Sequence, residues 1–201
     1  MAIFENLSGV AHNMKRLPEF HPDQLSPDQA VFHESIVNGP RGKFGGPFPA
    51  LLHAPMIGER VQALGEALRF HGELDAVARE IAILTVARHW HSPVEWNAHV
   101  VIALDLGLAK ATVRDIRNDV ETIDASSAQA ACYRYARELL HHKRVSDSTY
   151  QQTLAELGYA QLVELIAVLG YFDLLAMILN SFATDPRPED GVPPADLLLP
   201  H

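Results

Sequence analysis

Glu95 and His99 stand four residues apart in the run Pro93-Val94-Glu95-Trp96-Asn97-Ala98-His99, and a third ionisable group, Glu80, lies upstream in Ala78-Arg79-Glu80-Ile81-Ala82-Ile83-Leu84. Residues four apart in a helix leave the same face, so Glu95 and His99 are placed to interact. Glu80 shares a helical face with Ala76, Ile83, Leu84 and Ala87. If the segments Leu74 to Trp90 and Pro93 to Leu106 pack as a hairpin, Glu80 reaches His99 and orients its imidazole while the other ring nitrogen faces a substrate. A carboxylate beside a histidine sets tautomer and basicity, the minimum equipment for moving a proton.

Each of these residues also has an ordinary structural use. Ser92-Pro93-Val94-Glu95 has the spacing of a capping box, with Ser92 as N-cap, Pro93 at the first helical position and Glu95 reaching back to the Ser92 amide. The spacing therefore suits capping as well as chemistry. His99 fits a satisfied core histidine, and Glu80 fits a salt bridge to Arg79, Arg88 or Arg60. Metal binding competes for the same groups, since Glu95 and His99 have i, i+4 ligand spacing and His89-x-His91 lies nearby. The two halves do not combine, because His89 and His91 straddle the interhelical turn, and no metal is expected. Cys132 has no CxxC partner, and no Gly-rich phosphate loop follows a strand.

The elements that would position these groups are helical. From Pro55 onward apolar residues recur three and four apart, and no run alternates as a strand would. The pattern predicts helices over Met56 to Phe70, Leu74 to Trp90, Pro93 to Leu106, Lys110 to Val120, Ser126 to His142, Asp147 to Glu156 and Ala160 to Phe182. Gly107 and Gly158 suit the left-handed position just past a helix end. A shorter helix opens at Ser26 or Pro27 and runs to about Val37. Between it and the main body, Asn38 to Pro49 is rich in Gly and Pro and reads as an irregular loop from which Arg41, Lys43 and Phe44 project. The tail from Asp185, with Pro186, Pro188, Pro193 and Pro194, reads as an extension hugging the surface. The expected organisation is one all-α domain over 1–201, with 1–40 as lead-in and 185–201 as a Pro-rich tail.

Composition excludes several function classes. Sixteen basic against twenty-five acidic residues give a net charge of −9, which repels a phosphate backbone, and nucleic acid is not expected as a partner. The apolar run Leu162 to Leu179 is interrupted by Glu164 and Asp173, so it reads as a core or subunit-interface helix and not as a membrane span. A single cysteine and an N-terminus without a basic-then-apolar layout favour a reducing cytoplasm.

Glu80-Ile-Ala-Ile-Leu-Thr-Val-Ala-Arg88, His91-Ser-Pro-Val-Glu95-Trp96-Asn-Ala-His99 and Ala103-Leu-Asp-Leu-Gly107-Leu108 together resemble the carboxymuconolactone decarboxylase family, which shares its fold with alkylhydroperoxidase D. Gly46-Pro47-Phe48, Leu51-Leu52-His53-Ala54-Pro55, Val145-Ser146-Asp147, Val163 to Tyr171 and Gly191-Val-Pro-Pro194 extend the likeness over most of the chain from about residue 40. In the peroxidase branch of that family a CxxC pair takes the places of Ser92 and Glu95, while Glu80 and His99 match its glutamate and histidine. This chain has an EWxxH form there, and a hydroxyl with a carboxylate does not cycle through a disulfide. The resemblance to the decarboxylase branch implies a cofactor-free loss of CO2 from a small carboxylated lactone or related ring-cleavage product, in aromatic compound catabolism. It implies His99 as proton carrier, Glu80 to hold it, Glu95 to relay or shape the pocket, Trp96 as an apolar wall, and Arg41 or Lys43 on a substrate carboxylate. Relatives assemble as trimers or hexamers, which implies a homo-oligomer. An isomerase or hydrolase using the same groups, and a non-catalytic helical assembly protein with Glu80 and His99 as a structural pair, remain open.

Overall fold

A computed structural model describes residues 16–19 and 21–200. As the apolar periodicity requires, its regular elements are helical, and no strand occurs among the described residues. They are α1 (Pro27–Val37), α2 (Phe48–Leu51), α3 (Pro55–Glu66), α4 (Ala76–His89), α5 (Pro93–Asp105), α6 (Lys110–Arg117), α7 (Ser127–His142) and α8 (Asp147–Ser181). Local chemistry accounts for the boundaries. Ser26 and Ser126 each close a capping box with the glutamine three residues on, Gln29 and Gln129. Two differences from the sequence pattern stand out: the Gly/Pro loop runs into the short α2, and the expected helix to Phe70 gives way at Glu66 to a π-helical turn over Ala67–His71. At Gly158 the backbone of α8 leaves helical geometry, so Asp147–Ser181 is two helices joined at a kink, as the separate segments ending at Glu156 and opening at Ala160 predict.

The hub is α4. Ala78 and every residue from Glu80 to Ala87 are buried, which no amphipathic surface helix shows. One of its faces (Ala78, Ala82, Ile83, Val86) enters a core built with α1, α2, α3, α7 and α8. The opposite face (Ile81, Leu84, Ala87) enters a second core with Trp96, Val100 and Ala103 of α5, Val113 and Ile116 of α6, and Tyr133 of α7. Each buried Leu or Ile contributes roughly 1.5–3 kcal/mol, so the two cores together fix where α4 and α5 lie against each other.

The link between those two helices is tight. Trp90, His91 and Ser92 form it, with His91 left-handed at φ 50, its amide on the Arg88 carbonyl at 3.2 Å and the Ser92 amide on the Ala87 carbonyl at 2.9 Å. These two bonds make a Schellman motif that ends α4. The Pro-rich tail then runs back across α5. Trp96 Nε1 donates to the Leu197 carbonyl at 2.7 Å, and Arg117 Nη1 donates to the Asp196 carbonyl at 2.6 Å.

The segment Asp147–Ser181 is long and apolar enough to cross a membrane, and half of its most apolar stretch is buried inside the fold. Inside this helix Gly158 has φ 69 and ψ 175, a region open essentially to glycine alone. Gly158→Ala should therefore cost about 1–3 kcal/mol of stability. Chemical denaturation of the two proteins measures it, and an unchanged unfolding free energy would show that the backbone relaxes without strain.

Candidate active site

The α4–α5 hairpin brings Glu80 and His99 into direct contact. Glu80 Oε2 lies 2.6 Å from His99 Nδ1, and both side chains are almost entirely removed from water. The three arginines that offered Glu80 a structural salt bridge are engaged elsewhere: Arg88 Nε on the Arg117 carbonyl, Arg60 on Glu59 and the Met56 carbonyl, and Arg79 Nη1 on the Leu68 carbonyl. Phe172 of α8 packs edge-on against the imidazole, ring centroids 5.0 Å apart. No hydrogen-bond partner takes Nε2 among the described residues, and His99 lines a cavity of about 500 Å³. Glu80 stands behind the ring, outside the cavity lining.

Glu95 lines the same cavity one helical turn before His99, and neither of its carboxyl oxygens has a hydrogen-bond partner. The expected capping box is not formed. The Ser92 amide that Glu95 would cap already donates to Ala87, closing the Schellman motif, and the Ser92 hydroxyl is buried without a partner of its own. Burial pushes the Glu95 carboxyl well above the usual carboxylate range; the nearby Ser92 hydroxyl opposes this without reaching hydrogen-bond geometry, and the Asp173 charge adds to it. The environment thus favours the protonated form of Glu95, whose carboxyl lines the cavity.

The cavity lining is apolar through Val94, Ala98, Ile102, Leu175 and Leu179 of α5 and α8, and it also carries cations. Arg41 and Lys43 from the Gly/Pro loop both line it, as the sequence suggested, but both are already engaged. Arg41 Nε donates to Gln62 Oε1 at 2.5 Å, its Nη2 donates to the Tyr171 hydroxyl at 3.3 Å, and its guanidinium lies over Phe48. Lys43 Nζ donates to the Glu189 carbonyl at 2.7 Å, tying the loop to the tail, whose residues Pro188–Gly191 complete the cavity rim. Gly65 permits the arrangement, since a Cβ there would fall 2.1 Å from the Tyr171 hydroxyl and 2.4 Å from Arg41 Nη2.

Trp96 does not wall the cavity. Its ring is fully buried in the second core, and its indole nitrogen anchors the tail. Arg69, which the sequence reading passed over, does line the cavity, from the π-helical turn. Its place depends on a local widening of the helix that a 3.6-residue period does not reveal. His89 and His91 are exposed at the turn, and no group of three His, Cys, Asp or Glu side chains among the described residues has metal-holding geometry.

An all-helical bundle whose central hairpin presents a buried Glu–His pair to a cavity defines the class. Residues 55–138 match the Carboxymuconolactone decarboxylase family, and that segment contains Glu80, Glu95 and His99. Among solved structures, an alkylhydroperoxidase AhpD core protein from Ralstonia eutropha JMP134, described as an uncharacterized peroxidase-related protein, superposes with a TM-score of 0.73. That alignment covers 94% of this chain and 100% of the other at 18% identity, and it establishes the alkylhydroperoxidase D-like fold. No curated protein matches the sequence.

The raised pKa of Glu95 has a measurable consequence. Below the ordinary carboxylate range both folded and unfolded chains hold this proton, and the group makes stability no more pH-dependent there. Above that range the unfolded chain loses the proton while the folded chain keeps it, so stability falls as pH rises toward the folded value. Glu95→Gln removes this loss. The variant should unfold at a higher temperature than the parent at about pH 8, with the difference vanishing near about pH 4. A variant less stable than the parent at the higher pH would show that the carboxyl is charged and held by a partner.

Proposed function

We propose that the protein is a cofactor-free enzyme of the carboxy-lyase type, releasing CO2 from a small carboxylated lactone or a related unsaturated acid by proton transfer through His99. The observation that carries this reading is the Glu80–His99 pair placed at the wall of a cavity of about 500 Å³. A purely structural ion pair has no need of a cavity beside it. The volume suits a small organic molecule. The chain's one cysteine, Cys132, is buried in the main core outside the cavity lining, with its thiol pushed up to about 12, which argues against a thiol route to peroxide reduction.

The residues divide the chemistry among them. As the carbon–carboxylate bond breaks, CO2 leaves and the bonding electron pair spreads into the substrate carbonyl. The protonated Glu95 carboxyl donates a hydrogen bond to the oxygen on which that charge develops, in a site shielded from water. His99, charged and held at Nδ1 by Glu80, delivers the Nε2 proton to carbon, and solvent restores it. Glu80 acts through the ring by fixing its orientation and supplying its countercharge.

A screen for CO2 release across carboxylated lactones and oxo acids, with His99→Ala as control, tests the reaction; turnover that survives in the control would remove His99 from it. On an active substrate, His99→Gln should lower turnover by about 10²- to 10⁴-fold with the fold retained, and Glu80→Gln should cost less. Melting temperatures measured alongside separate this from a structural pair, whose disruption would lower stability by roughly 3–5 kcal/mol at least as clearly as activity.

We also infer a cytoplasmic homo-oligomer. Tyr159, Val163, Ile166, Leu174 and Met177 make an exposed apolar stripe along α8, beside exposed Ile57 and Leu64 of α3. A second copy covering that stripe accounts for it. Light scattering at micromolar concentration should give a mass above the monomer's, and a strict monomer would refute the assembly.

A further inference from the structure

Three cations, Arg41, Lys43 and Arg69, line the cavity, and their circumstances differ. Arg41 is held by Gln62, Tyr171 and the face of Phe48, while Lys43 is held by the Glu189 carbonyl. Arg69 has neither a hydrogen bond nor an ion pair among the described residues; its guanidinium carbon lies 5.2 Å from the ring of the adjacent Phe70. It is half-buried; the positive charge of Arg41 bears on it unfavourably, Glu80 and Tyr171 attract it at longer range, and Arg79 opposes it again. None of the acidic groups around the cavity pairs with it. Glu80 contacts His99, Glu95 lies buried without a partner, Glu66 accepts from Gln62 at 2.7 Å, Glu189 pairs with Arg187, and Asp190 is held by Arg187 at 2.9 Å through two donors.

A guanidinium drawn out of water without a counterion carries a desolvation cost that an incoming anion removes. Its five donors in a planar fork match a carboxylate bidentately. Burial, seconded by the Arg41 charge, lowers the pKa of the Arg69 guanidinium. Much of the lining beside it is hydrocarbon, including Val94, Ile102, Leu175 and Leu179, so a carboxylate on a small, partly apolar molecule is the ligand that fits.

We propose that Arg69 is the anion-gripping subsite of this cavity, taking a ligand carboxylate that Arg41, already fixed in place, supports from behind. This assigns to Arg69 the carboxylate role that the sequence alone offers to Arg41 or Lys43. It rests on the reading of the cavity as a substrate site, but its test does not require turnover.

The probe is 2-furoate, a flat five-membered ring bearing one carboxylate, with 2-furamide as its uncharged counterpart, titrated calorimetrically into the full-length protein. The parent should bind 2-furoate, and Arg69→Met should weaken that binding about 10- to 100-fold, the loss expected for a charge-assisted hydrogen-bonded pair. Arg69→Lys should recover part of it, and 2-furamide should bind the parent and Arg69→Met equally. Without ligand, Arg69→Met should melt no lower than the parent, because an unpaired cation is removed. Failure of the parent to bind 2-furoate, unchanged affinity in Arg69→Met, or equal weakening of both probes would overturn the subsite. Arg69-dependent 2-furoate binding without CO2 release from any substrate would leave the subsite standing and the decarboxylase reading fallen. CO2 release with no Arg69 dependence of 2-furoate binding would do the reverse.

Discussion

The arrangement depends on a carboxylate placed in a helix that has no exposed side. With Ile81 through Ala87 sealed between two cores, Glu80 meets neither water nor an arginine, and an uncompensated charge there would cost several kcal/mol. His99 Nδ1 is the group that meets it. That pairing demands that α5 lie alongside α4 with His99 facing inward, and the Schellman turn through left-handed His91 makes the reversal in three residues. Once His99 is so placed, helical geometry turns Glu95 to the same side, and the cavity acquires its second carboxyl as a consequence of the first.

The cationic part of the lining is built from irregular backbone. A Gly/Pro loop delivers Arg41 and Lys43, a π-helical turn delivers Arg69, and the tail closes over them through Lys43 and the Trp96 anchor. Regular helices hold Glu80 and His99 at a fixed distance, while loops with particular turns gather charges from distant parts of the chain. The glycine at position 65 shows how close that gathering is, since even a methyl group there would collide with Tyr171 and Arg41.

What was legible in the sequence follows the same division. The helical period and the four-residue step from Glu95 to His99 are local, and the hairpin that joins them to Glu80 follows from one short connection. Gly107 and Gly158 take the positive φ values expected of helix ends. Ser92 was misread because a serine before Pro-Val-Glu is a good start signal, whereas its amide is used by the end of the preceding helix, a competition that spacing cannot rank. Trp96 was misread for a related reason. Its helical position fits a cavity wall, but whether an aromatic faces a cavity or a core depends on the tail folding back from a hundred residues away, with Leu197 offering a carbonyl to the indole. Arg69 carries no local signal, because its isolation is defined by what every other side chain near the cavity is doing.

The two carboxyls on the central hairpin illustrate how environment assigns roles to identical chemistry. Glu80 is buried with a basic partner and serves as a countercharge, whereas Glu95 is buried with none and keeps its proton. The raised pKa of Glu95 also bears on the field inside the cavity. A charged Glu95 would offset the guanidiniums of Arg41 and Arg69 that line the same cavity, whereas burial without a partner favours the uncharged form and leaves their positive field less opposed.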